Sequence, residues 1–296
     1  MPKIALFVMT EKGYEVAKLF ASEFPNLIDR VVIGEDRGVT NDYSRQIVDL
    51  CEANEVKWVF RKDSAEIDQD KYILTVSWRW MVNHPENRLI VFHDSLLPRY
   101  RGFAPLVNML INGETTIGVT AIFGASEYDR GDIIGQESVD IRYPIKVADA
   151  IRINHECFIR LARRIASGME AGDVISGRKQ DEDQATYSIW RDHEDYFIDW
   201  STDANEICRF CDSVGEPYMG ARTRISNSEA LIIHDIVEVD DVACEVRHPG
   251  KVIYLQGERP VVICGRGLVK IIDATLESGG KQTDFFPMKK FRYRFY

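Results

Sequence analysis

The segment Arg88-Leu-Ile-Val-Phe-His-Asp-Ser-Leu-Leu-Pro-Arg-Tyr-Arg-Gly102 begins as a strand and ends as a loop. Its first five residues are mostly strand-forming, and the run is short enough to be a buried strand. His93 stands where that strand ends, ahead of a loop that Pro98 stiffens and Gly102 frees. Because ligands of open α/β sheets bind at the carboxyl ends of the strands, this loop is a candidate functional site.

A second block, Asp129-Arg-Gly-Asp-Ile-Ile134, begins 36 residues after His93. A histidine at a strand end can act as an acid or a base near neutral pH, and a carboxylate within reach can fix its tautomer. His93 and Asp129 are therefore catalytic candidates, provided that the chain folds back to bring them together. Taken alone, the two residues also fit a simple strand cap and a simple turn residue.

Strand-like and helical segments alternate around these blocks. Strands are predicted at residues 3–9, 30–33, 56–60 and 72–77, and helices at residues 13–24, 41–54 and 146–172. This alternation predicts a Rossmann-like, doubly wound, mostly parallel sheet in a first domain of residues 1–185. Residues 186–296 carry short β-rich runs broken by Gly and Pro, which predict a joining segment and a smaller, barrel-like β domain.

Composition excludes several classes of function. The chain has 296 residues, 45% hydrophobic and 28% charged, and a net charge of −10, which suits a globular protein and disfavours a polyanionic partner. Since it has neither an apolar run of membrane-spanning length nor a signal-peptide pattern, and its six cysteines are scattered, we expect a cytoplasmic protein without membrane contact. Cys208 and Cys211 lack a second Cys or His pair, so no metal site is predicted.

The two blocks together are specific. His93-x-Ser-Leu-Leu-Pro-x-Tyr-Arg-Gly102, followed at this spacing by Asp129-x-Gly-Asp-Ile-Ile134, resembles the signature of the folate-dependent formyltransferases. That family includes enzymes that formylate methionyl-tRNA, glycinamide ribonucleotide and nucleotide-linked amino sugars. Tyr187–Trp200 and Pro217-Tyr-Met-Gly-Ala221 resemble the family's joining segment and a turn of its C-terminal domain, so the likeness covers nearly the whole chain.

The resemblance implies the formyltransferase fold, 10-formyltetrahydrofolate as the formyl donor and no metal. It assigns catalysis to His93 and Asp129, with Asp129 orienting the histidine and helping to remove the amine proton. The loop after the strand at 72–77 and the segment before Asp129 would form facing walls around the donor. The residues expected to bind it are Trp78, Arg79, Trp80, Met81, Leu97, Phe123, Ala125 and Tyr128.

The charge balance of the C-terminal residues limits the class of molecule that can be the formyl acceptor. Residues 204–296 hold 13 Lys and Arg and 13 Asp and Glu, so the basic excess expected of a tRNA reader is missing. By elimination the likeness favours a sugar N-formyltransferase acting on a UDP- or dTDP-linked deoxyamino sugar, with a homodimer as a weaker expectation. The residues assigned to the acceptor are Lys12, Ser95, Arg99, Tyr100, Arg101 and Tyr218, of which the cations would meet a diphosphate. Alternatively, those cations are solvated or structural. A separate alternative for the function is formyl transfer to tRNA or to another amine.

One position departs from the family. Formyltransferases carry Asn two residues before the histidine, where its amide supports the oxyanion, and this chain has Val91. Another donor would then be needed, such as a backbone N–H, Ser95 or Asn83. The alternative is a weaker enzyme or a non-catalytic homologue that keeps the folate pocket.

Overall fold

Two compact units make up the computed structural model, which describes residues 2–36, 41–226, 229–278, 280–288 and 291–296. Unit 1 comprises Met1–Pro105, Thr116–Asp140 and Arg152–Ile189, and unit 2 comprises Leu106–Thr115, Ile141–Ile151 and Trp190–Tyr296. The domain limits expected from the sequence, 1–185 and 186–296, stay a prediction.

Unit 1 is built on a seven-stranded sheet in the order β3-β2-β1-β4-β5-β7-β8. Its strands are β1 (Ile4–Val8), β2 (Ile28–Ile33), β3 (Trp58–Phe60), β4 (Tyr72–Val76), β5 (Leu89–His93), β7 (Thr116–Phe123) and β8 (Ile133–Asp140). Pairing is parallel from β3 to β5 and antiparallel from β5 through β7 to β8. A separate parallel pair joins β6 (Arg101–Gly102) to β9 (Tyr187–Ser188). The strand order reverses between β1 and β4, which confirms the predicted mostly parallel, doubly wound sheet.

Helices α1 (Thr10–Glu23), α2 (Ser44–Ala53) and α4 (Val147–Ala171) contribute to one apolar cluster on a single face of this sheet. Phe20, Ile47 and Phe158 lie in that cluster with strand residues such as Leu6 and Ile90. The short helix α3 (Pro105–Ile111) follows β6.

The opposite face of the sheet has a different cover. Right-handed crossovers place their connections on opposite faces when the chain moves in opposite directions along a sheet. The connections from β3 to β4 and from β4 to β5 contain 3-10 turns rather than α-helices. Loops therefore cover this face, and they leave room for a cavity beside the smaller apolar cluster formed by Ala5, Phe7, Val32, Ile67, Ile73 and Leu89.

Unit 2 contains an antiparallel six-stranded sheet, which confirms the predicted β-rich domain. Its elements are α5 (Ala204–Ser213), β10 (Ala221–Ser226), β11 (Glu229–Val239), β12 (Val252–Gln256), β13 (Arg259–Ile263), β14 (Leu268–Ser278) and β15 (Lys281–Asp284). Trp200 is buried, donates from Nε1 to Thr223 Oγ1 at 2.9 Å and stacks on Phe295. None of the helices described in either unit combines the length and apolarity that crossing a membrane requires.

Candidate active site

A cavity of about 370 Å³ opens on the loop-covered face of the unit 1 sheet, at the carboxyl ends of β4 and β5. This volume lies within the usual range for small-molecule sites. The cavity is lined by Thr75, Trp78–Val82, Leu89, Val91–His93, Gly102, Phe103, Ile122–Ala125 and Glu127–Asp129. The predicted catalytic pair and most of the residues predicted to bind the formyl donor therefore surround one space.

His93 ends β5 and is 8% exposed. Its Nδ1 lies 3.4 Å from Asp129 Oδ1, and its Nε2 lies 2.8 Å from the carbonyl oxygen of Tyr100. Since a carbonyl oxygen only accepts, Nε2 carries the hydrogen in this arrangement. A doubly protonated ring could donate to both oxygens. The arrangement holds the ring in place and leaves a carboxylate beside it.

Asp129 is held in an uncommon backbone conformation. Its φ of +58° lies in the left-handed region, which costs a non-glycine residue roughly 1 kcal/mol or more. The Gly102 N–H donates to Asp129 Oδ2 at 2.8 Å, and Gln180 Nε2 donates to the Asp129 carbonyl at 2.7 Å and to the Gly131 carbonyl at 2.8 Å. These bonds fix both the loop and its carboxylate.

One wall of the cavity is aromatic. Trp78 packs edge-on against Trp80, with ring centroids 5.0 Å apart, and also contacts Phe7 at 5.0 Å. The guanidinium of Arg61 lies 4.2 Å from the Trp80 ring centre. Gly34 leaves room for these rings, because a Cβ there would approach Trp80 to 3.0 Å and Trp78 to 3.1 Å.

The facing wall is formed by Phe123, Ala125 and Tyr128, and Tyr128 is 64% exposed. Met81 and Phe103 also line the cavity and are more than half exposed. Flat, largely apolar walls suit a planar ring system such as a pterin. The residues present thus fit a folate. Among the described residues, no group of three or more His, Cys, Asp or Glu side chains is arranged to hold a metal ion.

Comparison with known proteins identifies the family to which the sequence is similar. Residues 71–150 match the model described as "Formyl transferase", and residues 191–285 match "Formyl transferase, C-terminal domain". The two matches together span more than half of the sequence. The chain belongs to the formyl transferase family.

Among curated formyl transferases, the methionyl-tRNA formyltransferase of Geobacter metallireducens is 30% identical over 195 residues, which are 65% of this chain and 60% of that relative. The chain thus spans about 60% of the length of the curated relatives that it matches.

Two solved formyl transferases share the fold. The N-formyltransferase from Helicobacter canadensis, in complex with folinic acid and dTDP-3-aminofucose, has a TM-score of 0.71 and 15% identity, covering 92% of this chain and 99% of its own. WlaRD, a sugar 3N-formyl transferase solved in the presence of dTDP and 5-N-formyl-THF, has a TM-score of 0.70 and 16% identity, covering 95% and 99%. At such low identity the likeness concerns the fold.

The sequence led us to expect that Arg101 would contact a diphosphate, but its side chain does not line the cavity. Its side chain is fully buried and donates to both carboxylate oxygens of Glu182 at 2.8 and 2.9 Å. It also donates to Gln180 Oε1 at 3.1 and 2.8 Å. The hydrogen bond from Arg101 lowers the pKa of Glu182, and that bond is likewise the main reason why the pKa of Arg101 is raised. Arg101 is an internal anchor rather than a diphosphate contact, because its donors are already used.

Gln180 joins this anchor to the active-site loop. Its amide oxygen accepts from Arg101, and its amide nitrogen donates to the Asp129 and Gly131 carbonyls. Gln180 and Glu182 were missed from the sequence, since an isolated Gln or Glu after a long helix carries no recognisable signal. Tyr187, whose hydroxyl accepts from Arg130 at 3.1 Å, lies at the start of the joining segment.

Replacing Gln180 by Leu keeps the side-chain volume and leaves two carbonyls and part of the buried Arg101 without partners. We expect the free energy of unfolding to fall by about 1–3 kcal/mol, as measured by urea denaturation with tryptophan fluorescence. Gln184→Leu is the matched control, because Gln184 is exposed and, within the described part of the chain, its side chain bonds only to Asp181. Equal effects of the two substitutions would contradict the anchoring role of Gln180.

The other residues expected near the acceptor lie in several places. Ser95 is fully buried and donates to the Arg99 carbonyl at 2.7 Å. Tyr100 is 7% exposed, and its carbonyl oxygen accepts a hydrogen bond from His93 Nε2. Arg99 is exposed, with its guanidinium 5.2 Å from the Tyr100 ring. Tyr218 belongs to unit 2 and is 42% exposed. Leu97, expected beside the donor, is instead buried between Ile122 and Ile133.

Lys12 also forms an ion pair with a carboxylate of unit 1. Its ammonium forms an ion pair with Asp94, the residue after His93, and lies 5.2 Å from the Phe158 ring centre. His155 of α4 is buried close by, and its Nε2 has no hydrogen-bond partner among the described residues. Burial, and then the charge of Lys12, lower the pKa of His155 below 6.5, whereas Glu11 and Asp94 act in the opposite direction.

This lowered pKa predicts acid lability. As the pH falls through about 6.5, the unfolded chain protonates His155 more readily than the folded chain does, because the pKa of His155 is lowered by folding. The stability that the neutral ring contributes is therefore lost as the pH falls toward the lower pKa of the folded state. We expect His155→Leu to flatten the fall in unfolding free energy between about pH 7 and pH 5. His248→Leu, which changes an exposed ring, should retain the wild-type slope. An unchanged slope in His155→Leu would contradict this assignment.

Proposed function

We propose that this protein transfers the formyl group of 10-formyltetrahydrofolate to the amino group of a UDP- or dTDP-linked deoxyamino sugar. The observation that carries the reaction type is the His93–Asp129 pair, 3.4 Å apart in a cavity with aromatic walls. Trp78, Trp80, Phe123 and Tyr128 would hold the donor, which supplies an activated one-carbon acyl group.

The chemistry requires one proton to leave and one to arrive. The acceptor nitrogen bonds to the formyl carbon while the carbonyl electron pair moves onto oxygen. When the carbonyl forms again, the bond to the donor nitrogen breaks, and that nitrogen keeps the electron pair and gains a proton. Asp129 orients His93 and accepts the proton that the amine loses, and the His93 ring provides the acid–base route to the departing nitrogen.

The charges around the cavity favour a small acceptor over a polyanion. Four cations of unit 1 near these loops form ion pairs with carboxylates: Lys12 with Asp94, Arg79 with Asp36, Arg101 with Glu182, and Arg130 with Glu127. A tRNA reader depends on cations that are available to phosphates. The chain also carries a net charge of −10. The sugar N-formyltransferases among the solved neighbours agree with this choice.

A second candidate is methionyl-tRNA formylation, because the curated relatives at 28–30% identity carry that name. Both candidates use the same donor and the same catalytic pair. They differ in the acceptor alone, so the test must offer both acceptors under one set of conditions.

The deciding assay mixes the protein with 10-formyltetrahydrofolate and, in separate reactions, UDP- and dTDP-linked amino sugars and charged initiator tRNA. We expect folate release, followed by absorbance, together with the mass gain of one formyl group on a nucleotide sugar. Formylation of the tRNA alone would replace the sugar by the second candidate. Tight folate binding without transfer to any acceptor would identify a non-catalytic homologue.

Substitution of the catalytic pair tests the mechanism. We expect His93→Ala and Asp129→Asn each to lower kcat by about 10²–10⁴, since a positioned acid–base group is lost. Asp140→Asn is the control, because Asp140 ends β8 and pairs with Thr116 outside the cavity. Circular dichroism and folate binding check that the fold persists. Near-normal turnover in either active-site variant would mean that the pair is not catalytic.

A further inference from the structure

Formyl transfer places negative charge on the formyl oxygen, and such an oxyanion needs a preorganised hydrogen-bond donor. The strand that ends in His93 offers none at the position two residues earlier, because Val91 is a hydrocarbon side chain lining the cavity. Ser95 and Asn83, the other side chains considered from the sequence, do not fill the role. Ser95 donates to the Arg99 carbonyl, and Asn83 is exposed and does not line the cavity.

The strands beneath the cavity identify another hydroxyl. Side chains alternate along a strand, so Thr75 of β4 shares the face of Ile73, while Leu74 and Val76 point to the helix-covered core. On this face Ala5, Phe7, Ile73 and Leu89 form an apolar cluster, and Val91 packs against it. Thr75 thus places one polar group within an otherwise apolar part of the sheet.

Thr75 lies directly beside Val91. The two residues are register partners in the parallel β4–β5 pair, and neighbouring strands are about 4.8 Å apart. The partner of Val91 on its other side is Ile122, which carries no donor. A hydroxyl at Thr75 is therefore the nearest side-chain substitute for a donor at position 91.

The Thr75 hydroxyl is also available. Thr75 is 4% exposed and lines the cavity, and its side chain makes no hydrogen bond to any other residue in the described part of the chain. Thr120, on the same face beside His93, is different, since its hydroxyl donates to the Ser95 carbonyl at 2.6 Å and accepts from Leu97 N–H and Gln136. A hydroxyl that lines the cavity and has no partner among the described residues is free to donate to a bound ligand.

We propose that Thr75 is a catalytic residue whose hydroxyl donates a hydrogen bond to the formyl oxygen. This inference rests on the proposed formyl transfer. Thr75 keeps its proton throughout: the bond strengthens as the carbonyl electron pair moves onto oxygen and weakens when the carbonyl forms again. The donor function has moved from β5 to the adjacent strand β4.

The kinetic test compares Thr75→Val, which keeps the shape, with Thr75→Ser, which keeps the hydroxyl. We expect Thr75→Val to lower kcat by about 10²–10³ and to raise the KM for the folate only about fivefold, whereas Thr75→Ser should stay within about tenfold of wild type in both constants. Adding Val91→Asn to Thr75→Val should restore part of the loss. Thr116→Val, which removes a hydroxyl outside the cavity, is the matched control.

A binding measurement separates this proposal from the proposed function. Tryptophan quenching gives the Kd of 10-formyl-5,8-dideazafolate, a stable donor analogue, and of its deformylated counterpart. We expect Thr75→Val to weaken binding of the formylated compound about fivefold or more, leaving the other unchanged. If wild type transfers no formyl group, this ratio still decides the role of Thr75. An unchanged ratio, or a kcat of Thr75→Val within threefold of wild type, would overturn the proposal.

Discussion

The packing of α1, α2 and α4 against one face of the unit 1 sheet determines where a ligand can bind. Burying their apolar stripes against β1, β4 and β5 stabilises the unit through the hydrophobic effect. The face of the sheet that these helices cover is therefore occupied by the apolar core. The connections from β3 to β4 and from β4 to β5, which run over the other face, contain 3-10 turns and no α-helix. A cavity forms there because loops cover a sheet less fully than helices do. Unit 1 therefore combines a close-packed core on one side with chemical groups on the other.

The catalytic groups are placed by a hierarchy of contacts. β5 positions His93 directly, because the histidine is the last residue of a buried strand. Asp129 lies on a loop, so its position depends on the bonds from Gly102 and Gln180. Gln180 in turn depends on Arg101, whose charge is balanced by Glu182. Burying a guanidinium is favourable only when its donors are satisfied, so this network behaves as one structural unit.

Local patterns predicted the fold well. Strand and helix periodicity located the first strands and helices to within a few residues, since alternation and amphipathicity reflect contacts with neighbouring elements. The His93 and Asp129 blocks could be found because each motif is continuous in the sequence. The roles of Arg101 and Lys12 could not. A cation in the sequence carries no information on whether a carboxylate 81 or 82 residues away will neutralise it. Such pairs depend on long-range folding rather than on local sequence.

The Val91 position shows why a departure from a family pattern must be judged in three dimensions. Along the chain, Val91 reads as the loss of a functional group, and Thr75 is 16 residues away. In the sheet the two are register partners on the same face, so a donor on either strand can serve the same cavity. The oxyanion requires a hydrogen-bond donor within bonding distance, and residues of different types and on different strands can provide that donor. The neighbouring strand can therefore conserve the function while the motif itself changes.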